Sequence, residues 1–459
     1  MVKMVSGRVR QCVVSTICQL SAFVANAAYC WFEPITNRLT EDPKLNFSSE
    51  DISWLIAIVE VGGFIGPLMS GYLTNRVGRK YVIMSIGPLC LAGWILILCS
   101  KTILSLVLAR VFQGLAIGIA LTIPPIYTAE IAEPKLRGTL TGTLQIMCNL
   151  GLLYVFSFGP YLSYDVFVYA CLPLPIIFTM TWMFIPETPY YILMNGEEDG
   201  GRKVLEYFRD GGVEEELEEM KNAIREEMSV EGSWKTLFCD KVERKAFIIV
   251  LIVCITKYLS GLGVMMNYAL DILSRSECFL SADIMSILLA FLLTLFSFMA
   301  AFMSDWIGRK PLLLLSCFGC FLANFLIGGY YYIHEKTSID ASNFTWALYI
   351  GLLMFCFFSE IGLGPLLQTL QSEMFGASTR GIAAGFIQGL SAIICLLVLK
   401  VYTPVNEAYG VYMNFWFYSL VCLIGGILLI WLLYETAGKT IGRMEEKSKN
   451  KVFIFKRSN

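Results

Sequence analysis

Histidine occurs once in 459 residues, at His334, and Asp, Glu, Lys and Arg together make up 16% of the chain. His334 falls in an apparent loop between apolar runs, where it reads as a solvated residue. No Ser–His–Asp set, Walker loop or metal-ligand cluster accompanies it. Enzymatic chemistry, a cofactor and a bound metal are therefore not expected. A soluble domain carries about 25% charged residues, so the shortage of charge excludes that class. A formal net charge of −2 gives no basic excess, and nucleic acid is not an expected partner. The 15 cysteines are scattered. Many of them (Cys90, Cys99, Cys148, Cys254, Cys317, Cys320, Cys395) lie inside apolar runs as small packing residues, and none belongs to a set at zinc spacing.

What is there is apolar: 56% of the residues are hydrophobic. A spanning helix needs about 20 mostly apolar residues. Twelve stretches qualify, at 12–32, 52–73, 81–100, 103–125, 139–160, 166–185, 246–270, 284–303, 312–333, 344–370, 381–402 and 411–434. Residues 1–11 are basic and polar and lead into a candidate span, so no cleavable signal peptide is expected. One long polar insertion, 186–245, separates spans six and seven. Its "EEELEEMKNAIREEM" carries charges at helical spacing and predicts a solvated helix rather than a domain core. The expected organisation is 1–185, six spans; 186–245, a helical linker; 246–434, six spans; and 435–459, a tail.

Lysine and arginine in short loops set orientation. With the N-terminus in the cytoplasm, the inner segments hold Lys3, Arg8, Arg10, Arg76, Arg79, Lys80, Lys135, Arg137, Arg309, Lys310 and Arg380. The outer loops hold Arg38, Lys44, Lys101, Arg275, Lys336 and Lys400. Two glycosylation sequons, at Asn46 and Asn343, both fall outside on this assignment. A multi-pass protein of the plasma membrane with both termini cytoplasmic is expected, its surroundings being the lipid bilayer.

Three signals recur in the same order in both halves. "NRVGRK" (75–80) returns as "DWIGRK" (305–310). "EIAEPKLRG" (130–138) is echoed by "EMFGASTRG" (373–381), each placing Glu seven residues before Arg-Gly. "PET" (186–188) is echoed by "YET" (434–436). Gly78 and Gly308 permit tight turns between antiparallel spans, and the adjacent basic residues anchor them at the inner surface. Arg–carboxylate clusters at that end would clamp the two halves together and release as they rock.

These motifs, with "GYLTNRVGRK" (71–80), "ARVFQG" (109–114), "PETPYYIL" (186–193), "EIGLGP" (360–365) and "ETAGKT" (435–440), resemble the sugar porter family of the major facilitator superfamily, which includes facilitative glucose and trehalose transporters. The resemblance covers nearly the whole chain. It implies an all-α polytopic membrane protein with twelve transmembrane helices in two six-helix bundles, a cytoplasmic helical linker, a central cavity and alternating access. By that carry-over Arg79, Glu130, Arg137, Glu187, Asp305, Arg309, Glu373, Arg380 and Glu435 form a cytoplasmic gate, with Tyr190 standing where the family has Arg.

The sugar cradle departs further. Gln145 in "LQIMCNLG" matches a family ligand position. Span seven reads "KYLSGLG" where the family reads "QQLSGIN", so Lys257, Tyr258 and Gly263 replace Gln, Gln and Asn. In span ten "GPLLQ" puts Gln368 at the place of a Trp, and span eleven's Asn-Trp falls on Ser391 and Ala392. Glu360 matches the family and Glu60 does not. Glu60, Lys257 and Glu360 are ionisable residues inside spans. Each costs about 2.5–3.5 kcal/mol at a helix centre and should pair or face a cavity. Glu360 is the first expected partner of Lys257, and Glu60 the second. The primary reading is a facilitative transporter of a hexose or trehalose-type sugar, with this small-molecule solute as its expected partner beside the lipid. A transporter of a charged or proton-coupled solute is the alternative, and a non-transporting sensor ranks last.

Overall fold

The computed structural model describes residues 6–36, 48–99, 102–133, 136–229, 234–276, 279–375 and 377–433. Among them are 12 helical spans: Gly7–Ile35, Glu50–Val77, Arg79–Cys99, Ile103–Ile131, Arg137–Phe158, Tyr164–Met183, Lys241–Asn267, Ala282–Ala301, Arg309–Lys336, Ala341–Gln371, Ile382–Ala408 and Val411–Leu432. The described residues contain no strand. An all-helical architecture follows from the bilayer, where every backbone N–H and C=O must be satisfied within its own segment.

Gly78 and Gly308 turn the chain between spans two and three and between eight and nine. Their φ values, 94° and 92°, are open to glycine and strained for other residues. Both turns mark one end of the molecule, called the hairpin end below. The other is the far end.

Spans two and four pack backbone to backbone through Gly62, Gly66, Gly114 and Gly118, two small-xxx-small patterns. A Cβ at Gly114 would overlap the Val59 carbonyl oxygen, and one at Gly62 would overlap that of Val111. Between the two sets of six spans, span five packs on span eight, and span two on span eleven. Asn149 of span five donates to the Leu293 carbonyl of span eight at 3.2 Å.

Two spans are discontinuous. Span seven breaks at Gly261 (φ 90°) and again at Tyr268 (φ −135°), leaving the short helices Leu262–Asn267 and Ala269–Ser274. Span ten widens into a π-turn over Ser359–Leu363 before Gly364 and Pro365 restart the α-helix. A π-turn and a proline both leave backbone carbonyls without their usual donors.

The segment between spans six and seven forms helices Pro189–Met194, Glu198–Phe208, Glu214–Ser229 and Trp234–Cys239. The charged helix is less solvated than its composition predicts. Leu217 and Ile224 are buried with Leu193, Leu205 and Val213 in a small core of their own. His334 also departs from expectation. It lies in the last turn of helix Arg309–Lys336, not in a loop, and stacks on Tyr330 at 6.2 Å.

Candidate functional site

At the hairpin end the repeated charges form staples within each set of six spans. Arg79 donates through Nε and Nη2 to Glu130 Oε1 at 3.1 and 3.0 Å. Arg309 Nη2 meets Glu373 Oε1 at 3.2 Å. The lysines repeat the correspondence: Lys80 Nζ donates to the Met183 carbonyl at 3.0 Å, and Lys310 Nζ to those of Ile430 and Leu433 at 3.0 and 2.5 Å. Each hairpin follows its glycine directly, which sets its Arg beside the end of span four or span ten in its own half. These two pairs therefore tie helices within a half, where the sequence pointed to clamping between halves.

Glu187 accepts from the backbone N–H groups of Lys80 and Thr188 at 2.9 and 2.8 Å. Burial raises its pKa above the usual carboxylate range, partly offset by those two hydrogen bonds and by Arg79. The Arg79 guanidinium lies 5.8 Å from the Tyr190 ring and 5.5 Å from that of Tyr191. Aromatic faces thus stand where the family supplies a second arginine. Arg137 starts helix Arg137–Phe158 with its side chain exposed and enters no ion pair among the described residues. Asp305 and Arg380 lie on helices Ala282–Ile307 and Ala377–Ala408. Glu435 and Asn46 lie outside the described residues. Asn343 is exposed in the short helix Ala341–Phe344.

At mid-span a polar cluster draws on spans five, seven and ten. Lys257 and Glu360 are 7% and 0% exposed. The direct pair expected of them is not formed. Lys257 Nζ instead donates to the Gly364 carbonyl at 2.6 Å, at the junction where span ten restarts. Its ammonium also sits 5.7 Å from the Tyr258 ring. Both carboxylate oxygens of Glu360 are buried without a hydrogen-bond partner. The amides of Asn149 and Gln145 and the Lys257 ammonium face this carboxylate. Gln145 is half-buried and donates to Asn149 Oδ1 at 3.5 Å. Gln368 is half-buried one helical turn beyond Gly364.

Glu60 belongs to a second cluster and does not reach Lys257. Tyr29 donates to Glu60 Oε1 at 2.6 Å, its hydroxyl lies 3.9 Å from Cys395 Sγ, and Asn267 Nδ2 approaches that hydroxyl at 3.5 Å. Spans one, two, seven and eleven meet there. Gly263 sits close against the same thiol: a Cβ in its place would lie 3.3 Å from Sγ. Ser391 is buried and donates to the Gln388 carbonyl at 2.6 Å. Ala392 faces Gly63 across the boundary between halves.

Sequence reasoning gave no site role to Tyr29, Asn149, Asn267 or Arg110, and read Cys395 as packing. Arg110 stands inside the quoted "ARVFQG" but carried no assignment. It is buried and donates to the carbonyls of Leu55 and Tyr29 at 3.0 and 2.7 Å. A fixed cation satisfied by carbonyls of two neighbouring spans is a structural tie for spans one, two and four.

The family model described as "Sugar (and other) transporter" matches residues 14–447. The chain belongs to this sugar transporter family. Among its curated relatives, the facilitated trehalose transporter Tret1 of Drosophila grimshawi is 27% identical over 94% of this chain and 47% of its own length. Tret1 of Polypedilum vanderplanki is 25% identical over 96% of this chain and 88% of its own. The chain spans about half the length of the first Drosophila relatives it matches. Among solved structures, the proton:xylose symporter XylE bound to 6-bromo-6-deoxy-D-glucose superposes with a TM-score of 0.80 at 18% identity, covering 94% of this chain and 98% of that one. A partially occluded inward open form of XylE from E. coli gives 0.77. At this identity the likeness establishes the major facilitator fold.

Proposed function

We propose that this member of the sugar transporter family moves a hexose or trehalose-type sugar across the plasma membrane by alternating access, facilitatively, with the mid-span cluster as its solute site. The observation that carries the reading is Glu360: a fully buried carboxylate with neither oxygen hydrogen-bonded. An unsatisfied buried acceptor costs about 1–3 kcal/mol, more when charged. A polyol supplies hydroxyl donors to it and accepts in turn from Gln145 and Lys257. The site also lies where two spans are broken, the arrangement that presents free backbone groups to a solute at the bilayer midplane.

On this reading the hairpin end is cytoplasmic, as are both termini. Residues 1–185 and 246–434 are the moving bundles, 186–245 is the cytoplasmic linker between them, and 435–459 is the tail. Arg79–Glu130 and Arg309–Glu373 keep each bundle rigid while it rocks. Arg137, Glu187, Asp305, Arg380 and Glu435 complete the cytoplasmic gate, and Asn46 and Asn343 face outward as glycan acceptors.

Lys257 favours a second reading. Its ammonium has three donors, and the Gly364 carbonyl takes one. A solute carrying an anionic group would engage the others, and a proton would balance the charge. Uptake of labelled trehalose, glucose and a hexuronate into transport-null cells, each with and without a pH gradient, separates the two. Saturable uptake of the neutral sugars, indifferent to the gradient, supports the first. Uptake confined to the hexuronate or dependent on the gradient supports the second.

A further inference from the structure

Among the described residues, four carboxylates accept from a first-turn backbone N–H of a helix other than their own. Asp210 takes Gly7 N at 2.6 Å, Glu187 takes Lys80 N at 2.9 Å, and Glu335 takes Val411 N at 3.1 Å. The fourth is Glu33, whose Oε1 accepts from Leu270 N. All four obey one rule: the first N–H groups of a helix have no intrahelical acceptor, and negative charge is favoured there. They differ in what they join. Glu187 and Asp210 hold the first six spans and the segment that follows them, and Glu335 joins spans nine and twelve. Glu33 alone of the four reaches from the first six spans to the last six.

The local geometry explains why the acceptor is needed. The break at Tyr268 starts a new helix, Ala269–Ser274, so Leu270 N–H lacks the carbonyl four residues back that a continuous span seven would supply. Glu33 ends span one in the 3-10 turn Glu33–Ile35, at the far end. It is 4% exposed, and its Oε2 has no partner. A second contact crosses between the halves nearby. The Lys400 ammonium of span eleven lies 4.3 Å from the ring of Trp54 on span two.

We infer that Glu33 is a positioning residue for the transport cycle: it latches the far end shut by capping the broken span seven, and the latch opens each time the far side is exposed. This rests on the alternating-access reading. It adds a far-end latch to the charged residues of the hairpin end, where every gate residue expected from the sequence lies. Oε2 is left to be hydrated when the halves part, which favours opening, while the Leu270 N–H favours closure. The latch is therefore weak enough to cycle.

Hydrogen–deuterium exchange on the full chain in lipid nanodiscs, with no sugar present, tests the latch separately from the choice of solute. Glu33→Leu removes the acceptor, Glu33→Asp withdraws it by one methylene, and Glu33→Gln keeps a carbonyl oxygen. Amides of segment 262–275 should exchange about tenfold faster in Glu33→Leu, in keeping with one lost buried hydrogen bond. Exchange at the hairpin end, over 71–84 and 305–312, should slow as that end closes reciprocally. Glu33→Asp should move in the same direction, and Glu33→Gln should stay within about twofold of the parent chain. Glu33→Asp carries the test if Glu33→Leu does not fold. Faster exchange at 262–275 without reciprocal slowing at the hairpin end would make Glu33 a local cap and overturn the latch. No change at 262–275 would overturn it outright.

Discussion

Lys257 spends its charge on a backbone carbonyl. Its Nζ lies 2.6 Å from the oxygen of Gly364, while the Glu360 carboxylate it faces has no hydrogen bond of its own. The lysine thus ties broken span seven to broken span ten and leaves the acid's oxygens available to a solute. Replacing it by Gln keeps a donor for Gly364, whereas Met removes the donor and leaves that carbonyl its place in the helix Gly364–Met374 alone. Lys257→Met should cost about 0.5–1.5 kcal/mol more folded stability than Lys257→Gln, read as a larger loss of melting temperature. A cycle with Glu360→Gln should show the double variant less impaired than the sum of the singles, because neutralising the lysine strands the acid. Additivity would show that the two charges do not sense one another.

The two hairpin staples differ in burial, which ranks their variants. Arg79 and Glu130 are 9% and 13% exposed, against 12% and 26% for Arg309 and Glu373. Breaking a buried pair by removing one partner costs about 3–5 kcal/mol. Arg79→Ala should approach that loss, and Arg309→Ala should fall short of it. Arg137→Ala, at an exposed position with no ion pair among the described residues, should stay within about 0.5 kcal/mol of the parent. Thermal unfolding of the three variants in one detergent checks the order.

Glu187 gives a pH dependence with a definite sign. Burial raises its folded pKa above the unfolded value. Between the two values the folded chain therefore binds more protons than the unfolded one. Its contribution to stability is full at pH below the unfolded pKa and is lost as pH rises through the raised folded pKa. Glu187→Gln should flatten the fall in stability across that window. At low pH the variant should lie close to the parent, because a protonated carboxyl, like the amide, keeps one carbonyl oxygen to accept from these N–H groups. Melting curves of parent and variant from pH 4 upward, about the reference carboxylate range, read both effects.

Gly114 offers a packing test. A methyl group there meets the Val59 carbonyl, which is backbone and cannot rotate away. Gly114→Ala should force spans two and four apart and lose most folded protein. Gly71→Ala, where nothing lies within 4 Å, should be neutral. Size-exclusion profiles of the two variants distinguish the cases.

Much of this was legible in the sequence because bilayer physics is blunt. Runs of apolar residues had to be spans, and Gly78 and Gly308, each followed by Arg-Lys, had to be turns. The carriers of the candidate site were half legible. Gln145, Lys257 and Glu360 stood out as polar residues within apolar runs, but the partner of Lys257 did not, because a backbone carbonyl leaves no mark in residue type. Nor did the direction of the gate charges. Spacing along the chain brings Arg79 and Glu130 to one end, and packing alone decides whether they meet within a half or across it. Tyr29, Cys395 and Asn267 look like ordinary span residues until spans one, seven and eleven are brought together around Glu60.

The central claim is that a sugar crosses through the site around Glu360. Counterflow in proteoliposomes tests it most directly, because exchange needs solute binding and alternating access but no driving gradient. Vesicles loaded with unlabelled trehalose or glucose and diluted into trace label should accumulate that label transiently, and Glu360→Gln should suppress the overshoot while remaining folded. Folded, reconstituted protein that shows no overshoot with any tested sugar, or a full overshoot in Glu360→Gln, would contradict the account.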